Sequence, residues 1–154
     1  MGVKILTDSA SDLPKKLLEE YDIDMLPLMV IKDSEEYYDG VTISPKTVYD
    51  GMRAGVVYRT AQISPSSFYE KFVEYARNKE RVIYLAFSSQ LSGTYQAAVF
   101  VKEQIKEQFP DFDLTIVDTK SASLGFGLTV LKAAELAKAG KTKEEILRIV
   151  DFYL

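Results

Sequence analysis

The sequence contains no cysteine, no histidine and no tryptophan among its 154 residues. Without cysteine there can be no disulfide framework, no thiolate nucleophile and no cysteine-ligated zinc. Without histidine the chain lacks the most common general base and the most common metal ligand in proteins. Thiol chemistry and histidine-based acid–base catalysis are therefore excluded for this chain on its own. The lack of cysteine also fits a reducing compartment, so we expect a cytoplasmic protein.

Positive charge is also scarce, because 19 basic residues face 23 acidic ones and the net charge is −4. No arginine-rich run is present, so nucleic acid is not an expected partner. No apolar run is long enough to cross a bilayer, so an integral membrane protein is not expected. The GFG segment at 125–127 does not fit a GxGxxG motif and is read as tight helix packing. We expect neither a cofactor nor a metal.

Strand-like runs alternate with helical patterns along the chain, which predicts a three-layer α/β/α domain with a mostly parallel sheet. The run RVIYLAF (81–87) shows little alternation, which indicates a strand covered on both faces. The segment KDSEEYYDG predicts a hairpin. Serine–proline pairs at 44–45 and 64–65 predict helix starts, and Asp12 is predicted to cap the first helix.

Short polar side chains follow each predicted strand, where ligands bind in open α/β sheets. We expect them at one edge of the sheet, together with polar residues of the segment YRTAQISP. The residues in these segments are Thr7, Asp8, Ser9 and Ser11; Ser88, Ser89, Ser92, Gly93 and Thr94; Asp118, Thr119, Ser121 and Ser123; and Thr60, Gln62 and Ser64.

The segment LSGT (91–94) is the best candidate for ligand contact. Gly93 at a predicted helix start lets a ligand approach the backbone, where free N–H groups favour an anion. Because a serine without a base is a weak nucleophile, binding is favoured over catalysis. Two alternatives stay open: a phosphate-handling or hydrolytic enzyme using Asp8, Asp118 and the Ser92-Gly93-Thr94 loop, and an interaction domain that dimerises through its apolar C-terminal helix.

The motifs ILTDSASDLP, YYDGVTIS, TAQISPSSFYEKF, SSQLSGTYQAA and VDTKSASLGFGL occur in this order along the whole chain. In order and spacing they resemble the DegV family. The resemblance implies a protein that binds a long-chain fatty acid through its carboxylate and is not itself an enzyme. It also implies a partner, a fatty acid kinase that uses ATP to make the acyl phosphate.

Carried over by position, the resemblance implies that Thr60 and Ser92 bind the carboxylate, assisted by the backbone at Gly93. It further implies a supporting rim of Thr7, Asp8, Ser9, Ser89 and Thr94. The chain departs from the family at Ala61 and Ile63, where serine and proline are usual. Residues 1–154 would correspond to the N-terminal α/β domain. The family's C-terminal lid domain, which closes over the acyl chain and supplies a histidine, is expected to be absent.

Overall fold

The computed structural model describes residues 2–154. Within them, strands and helices alternate as the sequence predicts. The strands are β1 (Val3–Asp8), β2 (Ile23–Leu26), β3 (Met29–Lys32), β4 (Glu35–Tyr38), β5 (Tyr58–Ala61), β6 (Arg81–Ala86) and β7 (Leu114–Asp118). The helices are α1 (Lys15–Glu20), α2 (Pro45–Arg53), α3 (Pro65–Arg77), α4 (Thr94–Ile105), α5 (Ser123–Lys138) and α6 (Lys143–Tyr153).

The main sheet is four-stranded and parallel, in the order β2-β1-β6-β7. Ile5 of β1 pairs with Ile23 on one side and with Ile83 on the other. Because all four strands run in the same direction, their carboxyl ends share one edge of the sheet. This arrangement confirms the predicted α/β fold and gathers the residues that follow β1, β6 and β7 at that edge.

Strand β6 is buried on both faces, as its unbroken apolar run predicts. Val82, Tyr84 and Ala86 pack into a core cluster with α3 and α4. Ile83 and Leu85 point to the opposite face and pack with α5 and α6. Because side chains alternate between two faces that are both covered by helices, the sequence of β6 lacks polar residues at alternate positions.

A second, antiparallel sheet has the strand order β4-β3-β5. The predicted hairpin is confirmed, since Met29 of β3 pairs with Tyr38 of β4. The mostly apolar segment DMLPLMVI (24–31) is divided between the two sheets, with Pro27 in the break between β2 and β3. Proline cannot donate to a ladder, which accounts for the interruption. The third strand, β5, was not expected, and it places Thr60 opposite Val30 in this sheet rather than at the end of a parallel strand.

The predicted role of Asp12 as a helix cap is wrong. A short 3-10 turn at Ser9–Ser11 follows β1, and Asp12 ends it in a left-handed conformation with φ 52°. Helix α1 begins later, after Pro14, which makes no side-chain cap. The Asp12 carboxylate instead accepts a 2.6 Å hydrogen bond from the Ser123 hydroxyl at the start of α5. The predicted caps at Ser44 and Ser64 are confirmed.

Gly127 lets α5 approach the 3-10 turn closely, which supports the packing interpretation of the GFG segment. A methyl group added at Gly127 would lie 2.3 Å from the backbone oxygen of Ser11. The same addition at Gly125 would meet only the Ser121 hydroxyl, at 3.2 Å. Ser9 belongs to the same 3-10 turn as Ser11, so this contact holds the turn that follows β1 in place at the sheet edge.

We expect G127A to lower the free energy of unfolding by about 1–2 kcal/mol, because overpacking against backbone outweighs the roughly 1 kcal/mol gain in helix propensity. G125A is the matched control, since it gains the same propensity and displaces only a side-chain hydroxyl. Urea unfolding of both variants measures the difference. Equal stability of the two variants would show that the approach of α5 to the turn is not tight.

Candidate functional site

The carboxylate of Asp8, at the end of β1, organises the sheet edge. Asp8 is fully buried. One oxygen accepts hydrogen bonds from the Tyr84 hydroxyl at 2.9 Å and from the Phe87 amide at 2.8 Å. The other accepts from the Ala10 amide at 3.2 Å. Asp8 therefore joins the 3-10 turn to the chain that leaves β6, and it supports the rim from beneath rather than facing solvent.

Burial dominates the ionisation of Asp8. It raises the pKa of Asp8 to about 6, although the hydrogen bonds from Phe87, Tyr84 and Ala10 favour the charged form. Burial also raises the pKa of the Tyr84 hydroxyl well above its ordinary value, and the Asp8 carboxylate beside it acts in the same direction. Tyr84 therefore remains a hydrogen-bond donor to Asp8.

Thr7 and Ser9 brace the same edge. The buried Thr7 hydroxyl donates to the Leu85 carbonyl at 3.3 Å, which ties β1 to β6. The Ser9 hydroxyl accepts a 3.0 Å hydrogen bond from the Leu28 amide in the connection between the two sheets. Both side chains thus hold backbone segments in place, consistent with the supporting role that the resemblance implies.

Ser89 and Asp118 form a second brace, between the loop after β6 and the end of β7. The Asp118 carboxylate accepts from the Ser89 amide at 3.0 Å, from the Ser89 hydroxyl at 2.5 Å and from the Lys120 amide at 3.2 Å. Burial acts to raise the pKa of Asp118, but these hydrogen bonds outweigh it and the pKa is lowered. Asp118 is therefore an ionised anchor for loop amides.

The loop Ser92-Gly93-Thr94 opens α4, and Gly93 occupies the N-cap position without any side-chain cap. The Ser92 hydroxyl lies 2.9 Å from the Thr94 hydroxyl and accepts from the Thr94 amide at 3.2 Å. Ser92 is half-buried and Thr94 is fully buried. This geometry confirms the predicted helix start at Gly93 and leaves Ser92 as the accessible hydroxyl of the loop.

The end of β5 lies against this loop, although β5 belongs to the antiparallel sheet and the loop follows β6 of the parallel sheet. The Ile63 amide donates to the Thr94 hydroxyl at 3.4 Å. The Gln62 carboxamide oxygen occupies the space above Gly93, where an added methyl group would come within 2.0 Å of it. Thr60 is exposed on β5, two residues before Gln62. The structure therefore brings the segment that carries Thr60 next to the loop that carries Ser92.

Sequence reasoning missed Tyr84 and Ile63 as parts of this site. Tyr84 is the one residue of the run VIYLA that bears a polar group, and a buried tyrosine hydroxyl usually has a partner. That signal could have pointed to Asp8. The contribution of Ile63 comes from its backbone amide, so no side-chain pattern could have revealed it.

A groove with a volume of about 1130 Å³ is lined by residues of α1, β2 and the segment leading into α2. Leu18, Leu26, Val41 and Leu124 supply apolar lining. Ser9 is the predicted site residue that reaches it, whereas Thr60 and Ser92 do not line it. This groove therefore does not lie beneath the two proposed headgroup residues.

Two features are absent from residues 2–154. No cluster of three or more histidine, cysteine, aspartate or glutamate side chains in this range could hold a metal ion. Among the helices described, none is both long enough and apolar enough to span a membrane.

The family comparison agrees with the motifs. A family model described as an uncharacterised protein of the DegV family matches residues 2–153. A DegV domain-containing protein of Clostridium perfringens is 42% identical over 149 residues, which covers 96% of this chain and 51% of that protein. The chain belongs to the DegV family. It spans about half the length of the curated relatives it matches.

Solved structures agree in fold, and their descriptions name a ligand class. A stearic-acid-binding protein from Eubacterium ventriosum superposes with a TM-score of 0.91 at 27% identity, over 97% of this chain and 52% of that one. A DegV family protein from Thermus thermophilus, described by its fatty acid binding, gives 0.86 at 32% identity, over 99% and 53%. Relatives that share this fold therefore bind fatty acids.

The raised pKa of Asp8 predicts a specific pH dependence of stability. Well below pH 4 the carboxyl is protonated in both the folded and the unfolded chain. Between about pH 4 and pH 6 the unfolded chain releases this proton while the folded chain retains it, so the contribution of Asp8 to stability falls as pH rises, by about 3 kcal/mol in total. Because asparagine does not titrate, the stability of D8N relative to wild type should rise by about 2–3 kcal/mol from pH 4 to pH 7.

Urea unfolding at intervals between pH 4 and pH 7 measures this difference. D111N, which removes one negative charge from an exposed loop position, controls for the change in net charge. A constant difference between D8N and wild type across the range would contradict the assignment. D8N should also be less stable than wild type by an amount that does not change with pH, because an asparagine amide facing the Ala10 N–H adds a pH-independent cost. Only the change in the difference with pH tests the pKa of Asp8.

Proposed function

We propose that this chain binds a long-chain fatty acid through its carboxylate, with the Ser92 and Thr60 hydroxyls and the backbone at Gly93 receiving the headgroup. The observation that supports this most directly is the Ser92-Gly93-Thr94 loop. Gly93 at the N-cap of α4 has no capping side chain, and the loop lies against the end of the strand that carries Thr60. The ligand class comes from the fatty acids bound by relatives of the same fold.

Neutral donors are sufficient for such a headgroup. Unpaired N–H groups at a helix start favour an anion, and each hydrogen bond to a charged acceptor is worth about 1.5–3 kcal/mol. The carboxylate of Asp118, at the end of the neighbouring strand β7, is already satisfied by Ser89 and Lys120. Leu91, which precedes Ser92, is 66% exposed and offers apolar surface beside the proposed headgroup site.

The proposal also includes the biological role. In it the chain carries out no chemistry, acts in the cytoplasm and presents the acyl carboxylate to a separate fatty acid kinase. Self-association is part of the proposal as well, because Phe152, Tyr153 and Leu154 at the end of α6 are exposed. Exposed aromatic and aliphatic side chains in one short stretch favour a contact surface.

A hydrolytic or phosphate-handling enzyme is less well supported. That alternative requires Asp8 and Asp118 to face a substrate or a metal. Asp8 is fully buried, with both of its oxygens accepting protein donors. Asp118 is likewise occupied by loop amides and the Ser89 hydroxyl. Neither carboxylate is arranged as a free base or ligand.

Removing the Ser92 hydroxyl tests the proposal. We expect S92A to weaken the binding of a long-chain fatty acid by about tenfold to a hundredfold, the equivalent of one charge-assisted hydrogen bond. Titration of the 154-residue chain with oleate below its critical micelle concentration, followed by calorimetry, measures this. Thr60→Val, which retains the branched shape on β5, should give a loss of the same order.

The control variant is S34A, which removes an exposed serine hydroxyl from the turn between β3 and β4. It should bind oleate like wild type. Wild-type affinity in S92A would remove Ser92 from the site. A wild-type chain that shows no saturable binding of oleate would overturn the proposed function itself.

A further inference from the structure

The hydrogen-bond directions around Thr94 can be derived from its burial. Thr94 is fully buried, and its hydroxyl has two hydrogen-bond partners: the Ile63 amide at 3.4 Å and the Ser92 hydroxyl at 2.9 Å. An amide N–H can only donate, so the Thr94 oxygen accepts from Ile63. The hydroxyl hydrogen of Thr94 then has the Ser92 oxygen as its acceptor.

The opposite direction would be costly. If Ser92 donated to Thr94, the buried Thr94 hydrogen would be left without an acceptor. Among the described residues, every fully buried side-chain nitrogen or oxygen has a hydrogen-bond partner. The direction from Thr94 to Ser92 is the one that satisfies each group, since Thr94 both accepts and donates.

This direction fixes what Ser92 can do. Its oxygen accepts from the Thr94 amide at 3.2 Å and from the Thr94 hydroxyl at 2.9 Å. A serine hydroxyl has two acceptor positions and one hydrogen to donate, so both acceptor positions are occupied from within the protein. Ser92 is half-buried, whereas its partner is not exposed at all. The remaining Ser92 hydrogen is therefore available to a ligand.

We propose that Thr94 is a positioning residue that holds Ser92 as a hydrogen-bond donor, so that the site selects an ionised acid headgroup over an uncharged alcohol headgroup. This inference rests on the proposed function, because it assigns the Ser92 hydrogen to the carboxylate. A carboxylate only accepts and carries charge, so it makes a strong hydrogen bond with a fixed donor. An alcohol oxygen can accept the same hydrogen only as a neutral group, and Ser92 cannot receive the hydrogen of the alcohol in return. Selectivity for the acid thus follows from the direction of one hydrogen bond.

The hydrogen bonds run from the Ile63 amide to the Thr94 oxygen and from the Thr94 hydroxyl to the Ser92 oxygen, and we call them the relay. The relay depends on a residue at which this chain departs from its family. Ile63 supplies the amide hydrogen that occupies the Thr94 oxygen. A proline, which the family resemblance places at this position, has no such hydrogen. In this chain, therefore, the segment that carries Thr60 is bonded directly to the residue that orients Ser92.

The test compares the affinities of oleate and oleyl alcohol, which have the same hydrocarbon tail. The oleate headgroup only accepts hydrogen bonds, whereas the alcohol headgroup also carries a hydrogen to donate. Thr94→Val retains the side-chain shape but removes the relay, so Ser92 becomes free to rotate. We expect selectivity for the acid over the alcohol to fall about tenfold, the equivalent of one oriented hydrogen bond. Thr94→Ser keeps the hydroxyl and should restore the wild-type ratio to within about twofold. In an S92A background, Thr94→Val should change the ratio no further.

The outcomes separate the inference from the function on which it rests. Absence of oleate binding by the wild-type chain overturns the proposed function, and the role of Thr94 with it. Binding that is weakened in S92A, with unchanged selectivity in a folded Thr94→Val variant, overturns the role of Thr94 alone. A lower ratio in Thr94→Val that Thr94→Ser restores supports it.

A ligand-free measurement covers the case in which Thr94→Val fails to fold. Neutron diffraction from the deuterated wild-type chain locates the two hydroxyl deuterium atoms. The Thr94 deuterium on the line between the two oxygens supports the relay. The Ser92 deuterium on that line overturns it, because Ser92 would then be the donor to Thr94 and not to a ligand.

Discussion

Asp8 is fully buried, and its carboxylate is stabilised there by the donors that surround it: two backbone amides and the Tyr84 hydroxyl. Each donor belongs to a different part of the sheet edge. Ala10 lies in the turn after β1, Tyr84 within β6, and Phe87 at the start of the loop that leads to Ser92. Since an unsatisfied buried amide is costly, this one side chain couples the paths of both loops. The geometry of the proposed site depends on that coupling.

The dependence extends along the chain in two steps. Asp8 fixes where the loop after β6 begins, and the Ser89–Asp118 brace fixes its next turn against β7. Ser92, Gly93 and Thr94 then enter α4, whose buried face packs into the core cluster shared with α3 and β6. The Ser92 hydroxyl is thus placed by a rigid scaffold and not by its own flexible loop. A hydrogen-bond donor held in this way needs little further ordering when a ligand arrives.

Much of this architecture could be predicted from local patterns. The apolar run of β6, the serine–proline helix starts and the glycine at the start of α4 each have a local physical cause, and each was predicted. Pairing between distant strands has no such local signal. The placement of β5 beside β3 puts Thr60 in a second sheet, and the sequence around Thr60 does not reveal its partner. The prediction that Asp12 caps the first helix was wrong for a related reason. Its hydrogen-bond partner, Ser123, is distant in sequence and becomes close only through the packing of α5.

The division between local patterns and distant contacts also applies to the proposed site. Ser92 and Gly93 could be singled out because a hydroxyl and a glycine at a helix start have a recognisable chemistry. The Ile63 amide could not, because backbone donors have no side-chain signature. Yet that amide decides which way the Thr94 and Ser92 hydroxyls point. Neutral hydroxyls can donate or accept, so a cluster of them has no inherent preference for an anion. The preference arises only when a group that can do nothing but donate occupies the inner end of the cluster and each hydroxyl in turn must pass its hydrogen outward.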